Sequence, residues 1–257
     1  MGMRGMGAGQ QPYVSAAQAA GGGLGIKFLP SGQPIVANLN DLQNFAVSDW
    51  NQWEFITQSL YDSAAYPAAG ASTLTFFQVP QGAGTGFGGS AKTLSDTNMV
   101  LNGQLPSGNM FVISSIEIEF QPTTPTVAAA MPAAFGAQAV AVQINDAYIF
   151  WRSGNGVLRI LQKDYSQEAP LMRMPSQADF SLQAAVADVT TAGASLQSRI
   201  GFAGAYGPIY TLSPNNLLIP ETTNFKYTLS WPEGLQAISN PARVFVRLGG
   251  MMARQAQ

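Results

Sequence analysis

Short runs that alternate between apolar and polar residues recur along most of this chain. The clearest run covers residues 111–120 and places four side chains on one face, at Val112, Ser114, Ile116 and Ile118. Similar runs, rich in β-branched or aromatic residues and bounded by turn-forming residues, cover 26–39, 73–79, 139–151, 157–161, 180–186, 200–202, 209–212, 225–231 and 244–248. Many short strands at such intervals predict a mainly β fold of the sandwich or jelly-roll type.

One segment has a helical pattern instead. Its large apolar side chains recur at steps of three and four, at Trp50, Trp53, Ile56 and Leu60. Ser48 and Asp49 directly precede Trp50 and are suited to cap a helix. The spacing predicts a helix within residues 41–61, with its aromatic side chains in the core.

Two segments of the chain repeat one another. Leu105-Pro106 and Ile219-Pro220 are each followed by four turn-forming residues, a phenylalanine and a β-type run. A proline-rich stretch at residues 121–135 lies near the middle of the chain and is suited to a linker. Together they predict two copies of one β-domain. The expected division is a flexible N-terminal arm at 1–25, a first jelly roll at 26–124 and a second at 125–257, with one or two short helices.

Charge is sparse in this sequence. Charged residues make up 10% of the 257 positions, against roughly 25% in ordinary domains. Interface cores are depleted in charge. The composition therefore indicates either a surface that faces identical neighbours or a simple drift in composition.

The residue types present exclude several kinds of chemistry. The chain has no histidine and no cysteine, which excludes disulfides, Cys/His zinc sites and histidine- or cysteine-dependent nucleophilic catalysis. The 14 acidic residues form no obvious pair, and no loop has calcium-ligand spacing. A net charge of −2 gives no basic surface for nucleic acid. The sequence nominates no catalytic, cofactor-binding or metal-binding residue, and we expect no enzyme activity.

The glycine-rich segment at residues 81–90 does not have the context of a phosphate-binding loop. No helix is predicted after it, and the GK[ST] sequence is missing. We therefore expect a flexible loop.

No membrane-spanning segment is predicted. The longest apolar run, residues 127–142, is broken by Pro132 and Gly136 and is shorter than the ~20 residues that a span needs. The first residues lack the apolar core of a signal peptide. We expect the protein to be made and kept in the cytoplasm of its host cell.

Several short sequence motifs resemble segments of the coat proteins of tailless icosahedral phages. In the first half they are Lys92-Thr-Leu-Ser-Asp-Thr-Asn-Met99, Gly103-Gln-Leu-Pro106, Phe111 and Ile113. In the second half they are Asn216-Leu-Leu-Ile-Pro220, Phe225, Arg243-Val-Phe-Val-Arg-Leu-Gly-Gly250 and Arg254-Gln255. The layout of residues 26–257 is similar to the double jelly-roll major capsid proteins of corticovirus-like and tectivirus-like phages, which contain an internal membrane.

This resemblance implies a structural protein of the virion. The chain would form a homotrimer of two-roll subunits, a pseudo-hexameric capsomer that tiles an icosahedral capsid over a lipid membrane. Its partners would be copies of itself, penton and minor capsid proteins, and the inner membrane through the N-terminal arm. No sequence-specific binding of nucleic acid is expected.

Other functions remain open at this stage. The chain could be a single jelly-roll or minor virion protein. It could also be a carbohydrate-binding or receptor-binding β-sandwich, in which Trp50, Trp53, Trp151 or Trp231 stacks on sugar, although burial is the commoner role for tryptophan. A glycoside hydrolase needs two carboxylates across a cleft. Glu117 and Glu119 instead share one face of a predicted strand and are expected to face solvent.

Overall fold

The structure is a computed structural model that describes residues 53–87, 89–122, 137–174, 178–186, 196–204, 210–212 and 216–256. These residues form mainly β-strands, as the sequence predicts. The strands are β1 (Trp53–Tyr66), β2 (Thr73–Phe76), β3 (Asn109–Pro122), β4 (Asn155–Ile160), β5 (Lys163–Glu168), β6 (Ala178–Val186), β7 (Leu196–Gly204), β8 (Tyr210–Thr211), β9 (Leu217–Ile219), β10 (Phe225–Ser230) and β11 (Ala242–Gln255). The described helix α1 (Ala137–Arg152) lies between β3 and β4, and a 3₁₀ turn (Leu171–Arg173) follows β5.

The strands pair into two large antiparallel sheets and a separate hairpin. The first sheet has the order β1-β11-β3-β8, with β9 also paired to β3. The second sheet has the order β2-β10-β4-β5, and β6 pairs only with β7 among the described strands. Side chains from both large sheets form one apolar core, including Leu60, Ile116 and Val246 from the first and Phe76 and Tyr227 from the second.

Strands of the two predicted jelly rolls share these sheets. β11 belongs to the predicted second roll, yet it lies between β1 and β3 of the predicted first roll. It pairs with β1 along the full length of both strands, from Trp53 opposite Gln255 to Tyr66 opposite Ala242. In the second sheet, β2 likewise pairs with β10. Each large sheet therefore contains strands from both sides of the predicted domain boundary at 124/125.

The helix predicted within residues 41–61 is wrong for residues 53–61, which belong to strand β1. Leu60, Asp62 and Tyr66 are buried while Tyr61 and Ala65 between them are more exposed, the period of two that a strand requires. Residues four apart share a face in a strand as well as in a helix, so the spacing of Ile56 and Leu60 fits both. Residues 41–52 lie outside the described residues.

The strand predicted at residues 139–151 is also wrong, because these residues belong to helix α1. Alanine, the best helix former, occupies alternate positions at the start of the segment and imitates the pattern of a strand. Further along, Asp146 and Phe150 are buried while Tyr148 between them is 59% exposed. Positions four apart are thus buried together and the residue between them is not, which is a helical pattern.

Strand β3 contains a bulge that changes which side chains share a face. Ser115 lies opposite Gly249 and Ile113 lies opposite Gly250, so Ser114 is an extra residue. Ile113 and Ile116 therefore both point into the main core. Val112 instead belongs to a second apolar cluster, and its predicted place on the same face as Ile116 is wrong.

The remaining strand predictions are confirmed as β2, β4, β6, β7, β8, β10 and β11. Most differ by a few residues at their ends, and β11 is much longer than residues 244–248. Strands β5 and β9 were not predicted from the sequence. The predicted arm at 1–25, the strands at 26–39 and most of the linker at 121–135 lie outside the described residues.

Candidate functional site

A loop folds over the edge of the first sheet and covers strand β1. Residues 92–99, called the edge loop below, form an isolated antiparallel bridge to β1 between Asp62 and Thr97. The Tyr61 N–H donates to Asn98 Oδ1 at 2.9 Å, and Asn98 Nδ2 donates to the Ser59 carbonyl oxygen at 2.8 Å. The edge loop therefore occupies backbone groups that another strand could otherwise pair with.

A buried ion pair fastens this loop to β1. Lys92 Nζ lies 2.6 Å from Asp62 Oδ1, and the two side chains are 8% and 1% exposed. Lys92 Nζ also donates to the Ser63 carbonyl oxygen at 2.7 Å. The Phe77 N–H donates to Asp62 Oδ2 at 2.6 Å, from a residue whose φ of 69° is unusual for a side chain of this size. Each polar group of the pair is thus satisfied inside the protein.

A second ion pair joins the edge loop to β11. Arg243 Nη2 donates to Asp96 Oδ1 at 2.8 Å, and the side chains are 18% and 7% exposed. The other Asp96 oxygen accepts bonds from the Thr93 N–H at 2.9 Å and from the Thr93 hydroxyl at 3.0 Å. The Phe87 N–H donates to Asp96 as well. Asp96 therefore organises the loop and ties it to the neighbouring strand.

The pKa values of Asp62 and Asp96 are shifted in opposite directions. Burial raises the pKa of Asp62 above its usual range, although Lys92 and the Phe77 N–H oppose the change. Burial also acts on Asp96, but hydrogen bonds from Thr93 and Phe87 together with the charge of Arg243 hold the pKa of that carboxyl below its usual range. Asp62 is therefore the more readily protonated of the two carboxyls.

Arginine and aromatic side chains alternate on the outer face of β11, beside the edge loop. The Arg243 guanidinium lies 4.3 Å from the centre of the Phe245 ring, and that of Arg247 lies 5.3 Å from it. Arg247 also lies 3.4 Å from Glu119 Oε2 on β3. Phe87 extends the row next to Arg243 and is 40% exposed. The Phe245 ring is only 5% exposed, so the two guanidinium groups and Phe87 form the accessible part of this row.

The other half of the same outer face is apolar. Beyond the bulge, side chains of β1, β3, β9 and β11 form the second apolar cluster, made of Met110, Val112, Leu218 and Ala253 with Trp53, Phe55 and Met251 packed against them. The bulge thus separates an apolar half of the sheet surface from an arginine-rich half.

A polar cavity of 630 Å³ lies at the end of β1 and β11. Its lining includes Glu54 and Arg254, whose carboxylate and guanidinium lie 2.6 Å apart, together with the loop residues Ser107 and Asn109. None of its described lining residues is aromatic. These residues offer hydrogen bonds but no ring on which a sugar could stack.

Trp53, Trp231 and Glu119, named as alternatives in the sequence, do not come together in one site, and Trp50 lies outside the described residues. Trp231 is 2% exposed and packs against Tyr66 and Phe150, so its predicted burial is confirmed. Trp53 belongs to the apolar cluster on the outer face. Glu119 does not face solvent freely, because it accepts from Arg247 and its side chain is 17% exposed.

Within the described residues, no helix has the length and apolar character that a membrane span requires. The same residues contain no group of three or more acidic side chains suited to hold a metal ion. The ion pairs of the edge loop were missed at the level of sequence because Asp62 follows directly on a segment with helical spacing. The available signal was the presence of Lys92 and Asp96 four positions apart in a chain with little charge.

Comparisons with known protein families, with curated proteins and with solved structures found no match to this chain.

Proposed function

We propose that this protein is a shell-forming virion protein built on a single jelly roll. The observation that carries the proposal is the nesting of its strand pairs. β1 pairs with β11, β2 with β10, β3 with β9 and β8, and β4 with β5. Among the described strands, the first thus pairs with the last and the second with the next to last, as in one long antiparallel hairpin.

Wrapping such a hairpin around a core gives the two-sheet arrangement of a jelly roll. Successive arms of the hairpin alternate between the two sheets, so that β11 also meets β3 and β10 also meets β4. With β8 and β9 counted as one interrupted strand, eight strands result in two sheets of four. Jelly rolls of this kind occur in viral capsids, in lectins and in cupins.

Two further features favour a shell over the other uses of this fold. The sparse charge of the chain suits a surface that is covered largely by identical copies. The edge of β1 is covered by the edge loop, which directs association away from uncontrolled strand pairing and towards side-chain surfaces. Arg247 and Phe87, which are 36% and 40% exposed, offer one such surface.

A single roll replaces the two tandem rolls expected from the resemblance to phage coat proteins. The motifs that resemble phage coat proteins have defined positions in the proposed fold. Lys92-Thr-Leu-Ser-Asp-Thr-Asn-Met99 is the edge loop, and Arg243–Gly250 lies in strand β11. The proposed partners are copies of the same chain. An internal lipid membrane, pentons and minor capsid proteins follow only from the resemblance.

The test is the state of association of the purified protein. Light scattering after size exclusion is expected to give multiples of the 27.1 kDa chain mass, and electron microscopy is expected to show closed particles of uniform size. A variant with Phe87→Ser and Arg247→Ser, both at side chains more than a third exposed, should remain folded by circular dichroism but assemble less. A protein that stays monomeric up to millimolar concentration contradicts the proposal.

A carbohydrate-binding module is the second candidate, because the polar cavity beside Glu54 and Arg254 offers hydrogen-bonding groups to a sugar, although none of its described lining residues is aromatic. A module of this kind is expected to be a monomer that retains a defined glycan. Binding to a glycan array that is lost in Arg254→Ala, in a protein that does not assemble, favours the module over the shell.

A further inference from the structure

Lys92 and Asp62 meet in a setting that suits the formation of a covalent bond. Their side chains are almost fully buried, and Lys92 Nζ lies 2.6 Å from Asp62 Oδ1. The contact joins the edge loop to strand β1, 30 positions apart in the chain. We propose that these side chains condense spontaneously to an isopeptide bond, which cross-links the loop to the strand. The proposal does not depend on the function proposed above.

The reaction needs no co-reactant. A proton passes from the Lys92 ammonium to the Asp62 carboxylate, so that a neutral amine faces a neutral carboxylic acid. The amine nitrogen then attacks Cγ of Asp62, a C–N bond forms, and the Cγ–Oδ1 bond breaks. Oδ1 leaves as water with the protons released by the nitrogen. One amide and one water replace one ammonium and one carboxylate, with no change in oxidation state.

The surroundings favour the neutral pair that starts this reaction. Burial disfavours charged groups, and a buried ion pair loses the hydration of both charges. Burial also raises the pKa of Asp62, which increases the share of carboxylic acid. The nearby Asp96 differs, because Arg243 and backbone N–H groups stabilise its ionised form. The acid is therefore expected at Asp62 and the charge at Asp96.

A backbone donor is in place for the charge that develops during attack. The Phe77 N–H donates to Asp62 Oδ2 at 2.6 Å, and this oxygen becomes negative in the tetrahedral intermediate. A fixed N–H group aimed at such an oxygen in a dry site stabilises the transition state. The left-handed backbone of Phe77, with φ of 69°, belongs to the conformation that presents this N–H.

The hydrogen bonds around the ion pair also suit the product. The amide nitrogen can keep its contact with the Ser63 carbonyl oxygen, to which Lys92 Nζ donates at 2.7 Å. The amide oxygen can keep the bond from the Phe77 N–H. The product therefore removes two buried charges and leaves its donor and its acceptor satisfied. It also keeps the edge loop in place against β1.

Mass spectrometry of the full, folded chain tests the proposal directly. The expected intact mass is lower than the sequence mass by one water. Trypsin adds the position, because Lys27, Lys92 and Arg152 are successive cleavage sites and an acylated lysine is not cleaved. The bonded chain is expected to give one peptide of residues 28–152 lacking one water. An unbonded chain gives separate peptides of residues 28–92 and 93–152.

Two variants separate this bond from other losses of water. Lys92→Arg keeps the positive charge but cannot form the amide, so its full sequence mass is expected. Asp62→Asn can still react with Lys92, and it is expected to lose ammonia instead of water. A full sequence mass for the native chain, with cleavage after Lys92, overturns the proposal. So does a loss of water that persists in Lys92→Arg, because that result indicates a cyclic imide. If Lys92→Arg does not fold, the tryptic peptides of the native chain decide alone.

Discussion

The backbone N–H of Phe225 donates a hydrogen bond of 2.8 Å to the carbonyl oxygen of Gly103. Phe225 belongs to one of the two segments that repeat one another in the sequence, and Gly103 lies two residues before the other, so the segments are neighbours in space. The Thr222 N–H donates to the Leu105 carbonyl oxygen at 3.1 Å. One segment leads into β3 of the first sheet and the other into β10 of the second. The two repeated segments thus lie side by side at the points where the chain enters one strand of each sheet.

Gly103→Ala is expected to destabilise this junction. Gly103 has a φ of 63°, and an added Cβ would lie 2.7 Å from the Gln78 side-chain amide that donates to the Phe225 carbonyl oxygen. The left-handed backbone alone costs about 1–2 kcal/mol for alanine. Gly82→Ala is the matched control, because Gly82 has a φ of 82° but open space around its Cβ. In urea denaturation the Gly103 variant should lose more stability than the control; equal losses contradict the role of the contact.

Gly250→Ala is expected to disrupt the bulge opposite Ser114. A Cβ at Gly250 would lie 1.8 Å from the Val112 carbonyl oxygen, a backbone atom that cannot turn away. We expect a loss of more than about 3 kcal/mol, at the upper end for overpacking, or no folded protein.

Gly249→Ala provides the comparison for this substitution. The close contact of its Cβ would be with the hydroxyl of Ser115, which can rotate, and the next atoms lie 3.7 Å and 4.0 Å away. Thermal unfolding should therefore place the melting temperature of Gly249→Ala well above that of Gly250→Ala, and the reverse order excludes the described register.

Asp96→Asn is expected to cost stability in a pH-dependent manner. The folded protein lowers the pKa of Asp96 below 3.8, so its contribution is present above that value and is lost as the pH falls through the folded pKa. At pH 7 the loss of a charged hydrogen-bonding group should cost about 1.5–3 kcal/mol. As the pH falls through the folded pKa, the variant and the native chain should converge in stability, since the native carboxyl then becomes protonated as well.

Asp164→Asn is the control for this pH series. The Arg159 guanidinium likewise lowers the pKa of Asp164, but this ion pair is over 40% exposed on both sides. Exposed pairs contribute little to stability, so the control should differ only slightly from the native chain at any pH. An Asp96 variant that behaves in the same way would exclude the proposed role of this carboxylate.

Asp146→Ala is expected to loosen helix α1 from the sandwich. Asp146 is 2% exposed and accepts hydrogen bonds from the Ser239 N–H at 2.8 Å and from the Asn240 N–H at 3.3 Å. Its removal leaves these donors without their acceptor, at a cost of about 1–3 kcal/mol. Tyr148→Ala, at a position 59% exposed on the same helix, should change stability by less. Hydrogen exchange at residues 239 and 240 should rise only in the Asp146 variant.

The alternating pattern predicted most strands correctly because a half-buried strand repeats every two residues. The pattern predicted the wrong element where the spacing of apolar residues fits both the period of a strand and the period of a helix. Ile56 and Leu60 are four apart and share a face in either structure, and the decision comes from the pairing of β1 with β11, which is distant in sequence. Alternating alanines at the start of α1 likewise imitated a strand, since alanine fits either environment.

The bulge and the edge loop depended on partners that local sequence does not identify. Ser114 shifts the faces of β3 because Gly249 and Gly250 on β11 allow a close approach of the backbones. Asp62 meets Lys92 only after the edge loop has folded over β1. Strand β5 contains mainly polar residues and lies at the end of its sheet, so it lacks the apolar alternation by which other strands were found.

During synthesis on the ribosome, strand β1 emerges long before its partner strand β11. Glu54 and Arg254, which form an ion pair across these strands, are 200 residues apart in the chain. At a translation rate of 5–20 residues per second, roughly 10–40 s separate their emergence from the ribosome. Throughout that interval the nascent β1 lacks its neighbour in the sheet. A polysome, with many ribosomes on one message, therefore holds many unpaired β1 strands at once. A chaperone that keeps these strands apart should raise the yield of native protein.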